Sequence, residues 1–355
     1  MMEPGEAGSA EFADRMLHMV NEAMLALMVS VGHRTGLFDV MAGMPGATSA
    51  EIAARAELDE RYVREWLAAM TTGRIVDHHA ASGSFSLPAG RAAWLTRAAG
   101  ADNLAISAQY VALLGLVEDQ VVDCFRRGGG VPYSSFPKFQ SIMAEDSGAV
   151  RDASLISTTL PLVPGLTDRL AHGIDVADVG CGSGHAANLM AEAFPRSRFV
   201  GFDMSDSGLA AARAEADRNG LTNVRFEQRD AARLGESTRF DFITSFDAVH
   251  DQARPDLMLS GIADALRPGG VYLCVDIAAS SKLSENLDHP LGPFLYTVSC
   301  MHCMTVSLAD GGMGLGAVWG EQKALEMLRE AGFTSVDVEH VDGDIANVYF
   351  IATKD

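Results

Sequence analysis

The sequence predicts a chain in two parts: a mostly helical N-terminal domain with a short hairpin, then a doubly wound α/β domain built on a seven-stranded sheet. Three observations carry this. Strand-like and helix-like runs alternate from Ile174 to the end of the chain. A glycine-rich turn, Asp178 to Gly184, joins the first of these strands to a helix. The N-terminal hundred residues read as helix, helix, helix, hairpin. Strands separated by helices imply a parallel sheet with right-handed crossovers.

With 355 residues, 48% hydrophobic and 21% charged, the chain is long enough for two cores and ordinary for a globular protein. No apolar run reaches the ~18 residues that a bilayer span requires. The chain opens Met1-Met2-Glu3-Pro4-Gly5-Glu6, acidic where a signal peptide is basic, so a cytoplasmic location is expected. Acids outnumber bases 47 to 27, a net charge of −20. That speaks against nucleic acid as the main partner, because duplex binding draws its affinity from Lys and Arg. The five cysteines, an odd number, read as reduced thiols. Cys300-Met-His-Cys303 offers two thiolates and an imidazole, but no second Cys/His pair stands at zinc-site spacing, so no metal is expected.

Residues 1–15 are small and acidic and are expected to be a disordered tail. Residues 16–98 carry an apolar stripe, Leu17, Met24, Leu25, Met28 and Val29, and a second helix from Gly36-Leu37-Phe38. Thr48-Ser49-Ala50-Glu51 is a capping box that opens a third. Another helix runs through Tyr62, Val63, Trp66, Leu67 and Met70 to Gly73, and a hairpin turns at Ser82-Gly83-Ser84. This is the pattern of a winged helix. The stripe has no obvious partner in so small a domain, which predicts a symmetric homodimer through the N-terminal helices. Residues 99–172 are mostly helical, a linker or substrate cap, with a loop from Gly128 to Tyr133.

In the last domain, 173–355, strands are expected at 174–180, 198–203, 223–228, 240–246 and 270–277, with helices at about 185–194, 206–219 and 255–266 between them. Pro268-Gly269-Gly270 marks the turn into the fifth strand. A helix at 321–331 and strands near 335–341 and 346–353 close the chain. The link between those last two strands is too short for a crossover, so the final strand should be antiparallel.

In Asp178-Val179-Gly180-Cys181-Gly182-Ser183-Gly184, glycine serves where the backbone takes positive φ or meets a ligand closely. The nicotinamide fingerprint G-x-G-x-x-G fails, because its last glycine would fall on His185. Acids recur in register at successive strand ends. Asp203 lies nineteen residues past Gly184, where an acid accepts bonds from ribose hydroxyls, and Asp230-Ala231 ends the third strand.

With the Leu266-Arg267-Pro268-Gly269-Gly270 turn and the terminal strand pair, these motifs make residues 174–355 resemble the class I S-adenosylmethionine-dependent methyltransferases. With the winged-helix front end the whole chain is similar to the caffeate-type, small-molecule O-methyltransferases. The resemblance implies a methyltransferase sheet whose cofactor, S-adenosylmethionine, is held by Asp178, Gly180, Cys181, Gly182 and Gly184, by Asp203 with Met204, by Asp230 with Ala231, and by Phe246 and Asp247 after the fourth strand. It also implies a front domain that serves dimerisation and covers the pocket for a small-molecule acceptor.

His250-Asp251 matches the His-Asp pair that this group carries after strand four, where the histidine is the general base. Histidine, with an ordinary pKa of about 6.5, suits proton removal from a hydroxyl near neutral pH. The glutamate that steers this histidine in the family would fall near Val318-Trp319. Glu321 is out of register, which leaves Asp251 or Asp276 as the orienting acid. The long insertion 278–320 holds Phe294, Tyr296 and His302 and the glycine-rich run up to Trp319 and Gly320, which suits a mobile lid over a hydrophobic acceptor; Tyr133, on the linker loop, is expected to reach the same pocket. The competing reading is a regulator that binds DNA through the winged helix and senses S-adenosylmethionine. Residues 1–100 hold 12 acids against 8 bases, and Arg61, Arg64 and Arg74 are interleaved with Asp59, Glu60 and Glu65, a poor phosphate-binding face.

Overall fold

A computed structural model describes residues 9–354. The chain divides into two compact units between Gly115 and Leu116, so the segment 99–172 is shared between them.

The N-terminal unit contains α1 (Ser9–Thr35), α2 (Leu37–Ala42), α3 (Ser49–Ala56), α4 (Glu60–Thr72), the hairpin β1 (Asp77–His79) and β2 (Ser84–Ser86), then α5 (Ala89–Ala92) and α6 (Gln109–Gly115). The tail expected through residue 15 is corrected from Ser9 onward, where α1 has begun; residues 1–8 lie outside the described residues. The capping box forms: Thr48 Oγ1 accepts from the Glu51 amide at 3.4 Å, and the Glu51 carboxylate accepts from the Thr48 amide at 2.8 Å. The Trp66 indole donates to the Met28 carbonyl at 2.8 Å and meets Phe38 edge to face at 5.3 Å. Gly32 is needed beside them, because a Cβ there would stand 2.5 Å from Trp66 Cζ2. The apolar stripe therefore splits. Leu25, Met28 and Val29 join the core, whereas Leu17 and Met24 stay 62% and 59% exposed.

The C-terminal unit begins with α7 (Glu118–Arg127), α8 (Phe139–Ser154) and α9 (Leu166–His172). The alternating part follows: β3 (Asp175–Val179), α10 (His185–Ala193), β4 (Arg198–Asp203), α11 (Asp206–Arg218), β5 (Val224–Gln228), β6 (Phe240–Phe246), α12 (Pro255–Ala265) and β7 (Leu266–Ile277). After α13 (Gly292–Val298) and α14 (Met304–Ala309) come α15 (Gly320–Glu330), β8 (Ser335–Glu339) and β9 (Asn347–Thr353). The sheet order is β5-β4-β3-β6-β7-β9-β8, and β9 runs antiparallel to both of its neighbours. Successive strand residues feed opposite faces. Ala177, Val179, Tyr272 and Cys274 pack with Met258 and Ile262 of α12 and Met327 of α15. Val176, Leu273 and Val275 pack with Leu166 of α9 and Met190 of α10.

Two expectations differ in detail. Leu266 already pairs with Phe240, and the register then slips so that Phe242 faces Val271. The Arg267-to-Gly270 turn is thus a bulge inside β7. The insertion 278–320 is helical from Gly292 to Ala309, and mostly loop on either side. Its glycine run is tied to the loop after β6, with the Gly316 amide donating to the His250 carbonyl at 3.1 Å and the Met313 amide to Ala253 at 3.0 Å.

Candidate functional site

The chain runs outward from β3 to β5, returns to β6 and runs outward again, so the order reverses between β3 and β6. In an open α/β sheet that is where ligands bind, outside the carboxyl ends of the strands. A cavity of about 770 Å³ lies there, within the size range of small-molecule sites. The loops after β3, β4, β5 and β6 line it, together with one face of α8 and Val306 and Asp310 of the insertion.

The glycine turn forms the first wall. Gly180, Gly182 and Gly184 have φ of 76°, 55° and 71°. A Cβ on Gly180 would stand 2.5 Å from Ala248 Cβ, and one on Gly184 2.5 Å from Ala212 Cβ, so two of the three are set by packing as well as by φ. Gly182 has open space instead, and its amide donates to Asp203 at 2.8 Å. Asp203 also accepts from the Ser205 amide at 2.8 Å, while Ser205 itself caps α11. Asp203 therefore ties the tip of β4 to the glycine turn. Asp230 does cap a short turn, accepting from the Ala232 amide at 2.9 Å. Cys181, Met204 and Ala231 line the same wall.

Asp178 is buried at the end of β3 and accepts from Thr244 at 2.9 Å. Burial pushes its pKa up to about 6. Asp247 follows β6 with φ of +52°, left-handed backbone that asparagine and aspartate tolerate better than most side chains. One of its carboxylate oxygens is buried without a hydrogen bond, and burial holds this group at about 6 as well. Phe246, Asp247 and Asp251 line the cavity, and burial raises Asp251 to about 6.

His250 is only 4% exposed and is not itself in the lining, although Ala248 and Asp251 beside it are. Its Nδ1 bonds Asp276 Oδ1 at 2.7 Å. The same oxygen accepts from the Ile277 amide at 2.8 Å and from the Trp319 indole at 3.2 Å. The orienting acid is thus Asp276 at the end of β7, not Asp251, and Trp319 braces it. Burial alone would lower the histidine's pKa, but Asp276, with the Cys303 thiol alongside, overrides this and raises it well above 6.5.

The expected acceptor contacts disperse. Tyr133 lines the cavity, and burial raises its pKa. His302 is fully buried in a π-turn at Ser299–Cys303, stacked on Phe139 at 3.5 Å, with both ring nitrogens lacking hydrogen-bond partners. Burial pushes it down to about 3, so it is neutral. Phe294 and Tyr296 on α13 do not reach the lining, and Trp319 is committed to Asp276. The wall formed by α8, with Phe139, Gln140, Met143, Ser147 and Arg151, carried no motif that the sequence could reveal.

Comparison with known proteins places both domains in known families of fold. An Rv2258c-like winged HTH domain model matches residues 23–97, and a methyltransferase domain model matches 170–332. A fatty-acid O-methyltransferase of Mycolicibacterium smegmatis is 32% identical over 114 residues, 32% of this chain and 40% of that protein. An erythromycin 3''-O-methyltransferase of Saccharopolyspora erythraea is 29% identical over 182 residues, 50% of this chain and 56% of that one. The matched stretch thus spans about half the length of such relatives. Among solved structures, human N-acetylserotonin methyltransferase in complex with SAM superposes with a TM-score of 0.70 at 16% identity, covering 100% of both chains. The mitomycin 7-O-methyltransferase MmcR gives 0.71 at 16% identity over 98% of this chain and 100% of that one. At such identity the likeness is one of fold. The chain joins an Rv2258c-like winged helix-turn-helix domain to a methyltransferase domain.

Proposed function

We propose that this protein transfers the methyl group of S-adenosylmethionine to a hydroxyl oxygen of a small hydrophobic or aromatic molecule, with His250 as the general base and a homodimer formed through α1. The observation that carries the reading is the run of Gly180 to Gly184, Asp203 and Asp230 on three adjacent strand tips, beside a buried His250–Asp276 pair. The site fits the cofactor: Gly182 leaves room for a ligand, and Asp178 and Asp247 are buried acids, one with an unpartnered oxygen, suited to a cationic molecule.

When bound, the cofactor supplies an electrophilic methyl on a sulfonium. The chain's own residues do the rest. With the Nδ1 proton donated to Asp276, the Nε2 lone pair, beside the Cys303 thiol, is the one that takes the hydroxyl proton. Asp276, held by Trp319 and the Ile277 amide, fixes the ring and stabilises the imidazolium as it forms. Tyr133, Phe139, Met143 and Val306 give an apolar boundary that excludes water. Nucleic acid is not the expected partner, because on α4 Arg61 pairs with Glu65 and Arg64 with Glu60, leaving little charge for phosphates.

Calorimetry with S-adenosylhomocysteine and with NAD tests the cofactor, with micromolar binding expected for the first and none for the second. Labelled S-adenosylmethionine offered with phenols, fatty acids and amines of similar size tests the acceptor. Tight NAD binding, or transfer to amines but never to hydroxyls, would overturn the reading.

A further inference from the structure

Among the described residues, His302 is the one side chain with two buried polar atoms that find no hydrogen bond. It is 0% exposed, in the π-turn Ser299–Cys303 that joins α13 to α14. Rings enclose it: Phe139 stacks on it at 3.5 Å, with Phe136 and Tyr133 edge-on at 4.6 Å and 5.5 Å. As packing, an imidazole there gives nothing that a phenyl ring would not, and it carries the cost of two desolvated nitrogens. A π-turn set into a helix is itself frequent at functional sites.

Its position says what such a ring could meet. Val306, about one helical turn further on, lines the cavity, and so do Tyr133 and Phe139. His302 thus lies one ring deep behind the cavity wall, closed off by Phe139. It is also near enough to His250 for the charge of that base to act on it. Burial, with His250 adding to it, keeps the ring neutral, with one N–H and one lone pair. A neutral imidazole in a cage of rings complements an uncharged oxygen. A carboxylate or an ammonium would give up its hydration there for a single neutral partner. We infer that His302 is a specificity-determining residue for the acceptor: once the Phe139 ring swings off it, one ring nitrogen donates a hydrogen bond to an uncharged oxygen that the acceptor carries beside the hydroxyl held by His250. The inference rests on the oxygen-acceptor reading above and narrows it to molecules with a second, neutral oxygen next to the one methylated.

Labelled S-adenosylmethionine offered with 2-methoxyphenol or with 2-ethylphenol tests it. The two share their shape and nearly their acidity, and differ by an ether oxygen in place of a methylene. The parent protein should methylate 2-methoxyphenol with a kcat/KM about 30-fold higher, within the range for pairing a buried group otherwise left unpaired. His302→Phe should abolish that preference, leave 2-ethylphenol within about threefold of its parent value, and melt higher, because the phenyl ring removes two unpaired nitrogens. His302→Gln, which keeps a neutral donor, should retain part of the preference. Equal turnover of the two phenols by the parent protein, or an equal loss on both in His302→Phe, would make His302 a packing residue and overturn the inference. Should the variants not fold, the ratio in the parent protein decides alone. Transfer to other hydroxyl compounds but to neither phenol overturns the inference as well. Transfer to no hydroxyl at all, by protein that binds S-adenosylhomocysteine, would sink the oxygen-acceptor reading instead.

Discussion

At the β3–β4–β5 end of the cavity, the groups that would meet a ligand sit within a few residues of a strand tip, and most also hold their own turn together. Asp203 bonds the Gly182 and Ser205 amides, and Asp230 caps the turn after β5. At the β6 end, the groups converge from distant parts of the chain: Arg151 from α8, Asp276 from β7, Trp319 from just before α15, and Cys303 from the π-turn. The first end is a cradle that backbone geometry nearly completes by itself. The second is assembled by packing, and it holds His250, whose pKa the neighbouring Asp276 raises well above 6.5. In the proposed reading the first is the binding end, held stiff by its own turn, and the second is the reacting end, tuned by its neighbours.

The contrast can be broken by substitution, and the largest effect is expected at His250. His250→Asn should cut turnover of the folded protein at least a hundredfold, in the range for losing a general base. Affinity for S-adenosylhomocysteine should change little. The melting temperature should fall by several degrees, because the amide leaves Asp276 buried without a cationic partner. A loss of less than about fivefold in rate would show that position and desolvation alone drive transfer.

Asp203→Ala probes the stiff end. It should weaken S-adenosylhomocysteine by about 1–3 kcal/mol, the cost of leaving hydrogen-bonding groups unpaired, while the rate at saturation barely moves. An unchanged Kd would remove Asp203 from the cofactor site.

The pH profile sharpens the distinction further. His250 acts as a base only when neutral, and Asp276 raises its pKa above 6.5. Turnover should therefore rise with pH with a midpoint above 6.5, and Asp276→Asn should bring that midpoint down while lowering the plateau about tenfold, a modest share of the base's own effect. Stability carries the opposite sign. A histidine whose folded pKa exceeds its unfolded one contributes fully below about 6.5 and loses that contribution as pH rises through the folded value. Urea titrations across that window should show the decline in the parent protein and a flatter curve in Asp276→Asn.

The smallest effect on the cavity is expected from the N-terminal helix. Leu17→Asp with Met24→Asp places charge on the exposed half of α1 and should convert a dimer to a monomer by light scattering. The affinity for S-adenosylhomocysteine should stay within twofold, a change of under about 0.5 kcal/mol. A double variant that still runs as a dimer would move the interface elsewhere.

The sequence by itself determined the α/β alternation, the antiparallel last strand, the winged-helix order with its Thr48–Glu51 box, and the glycine and acid positions at three strand tips. Each depends on residues close together in the chain: a period of hydrophobicity, a capping pair, a glycine where φ is positive. Tertiary structure alone decided which acid holds His250. Asp251 is its neighbour in the chain, yet Asp276, twenty-six residues on, meets it because β6 and β7 pair side by side. It likewise decided that Trp319 braces Asp276, that Phe294 and Tyr296 stay outside the lining, and that Arg151 of α8 enters it. Those contacts are chosen by how helices settle on a finished sheet. No short-range pattern in the chain encodes that choice, because the free energy that makes it is the burial of surfaces far apart in sequence.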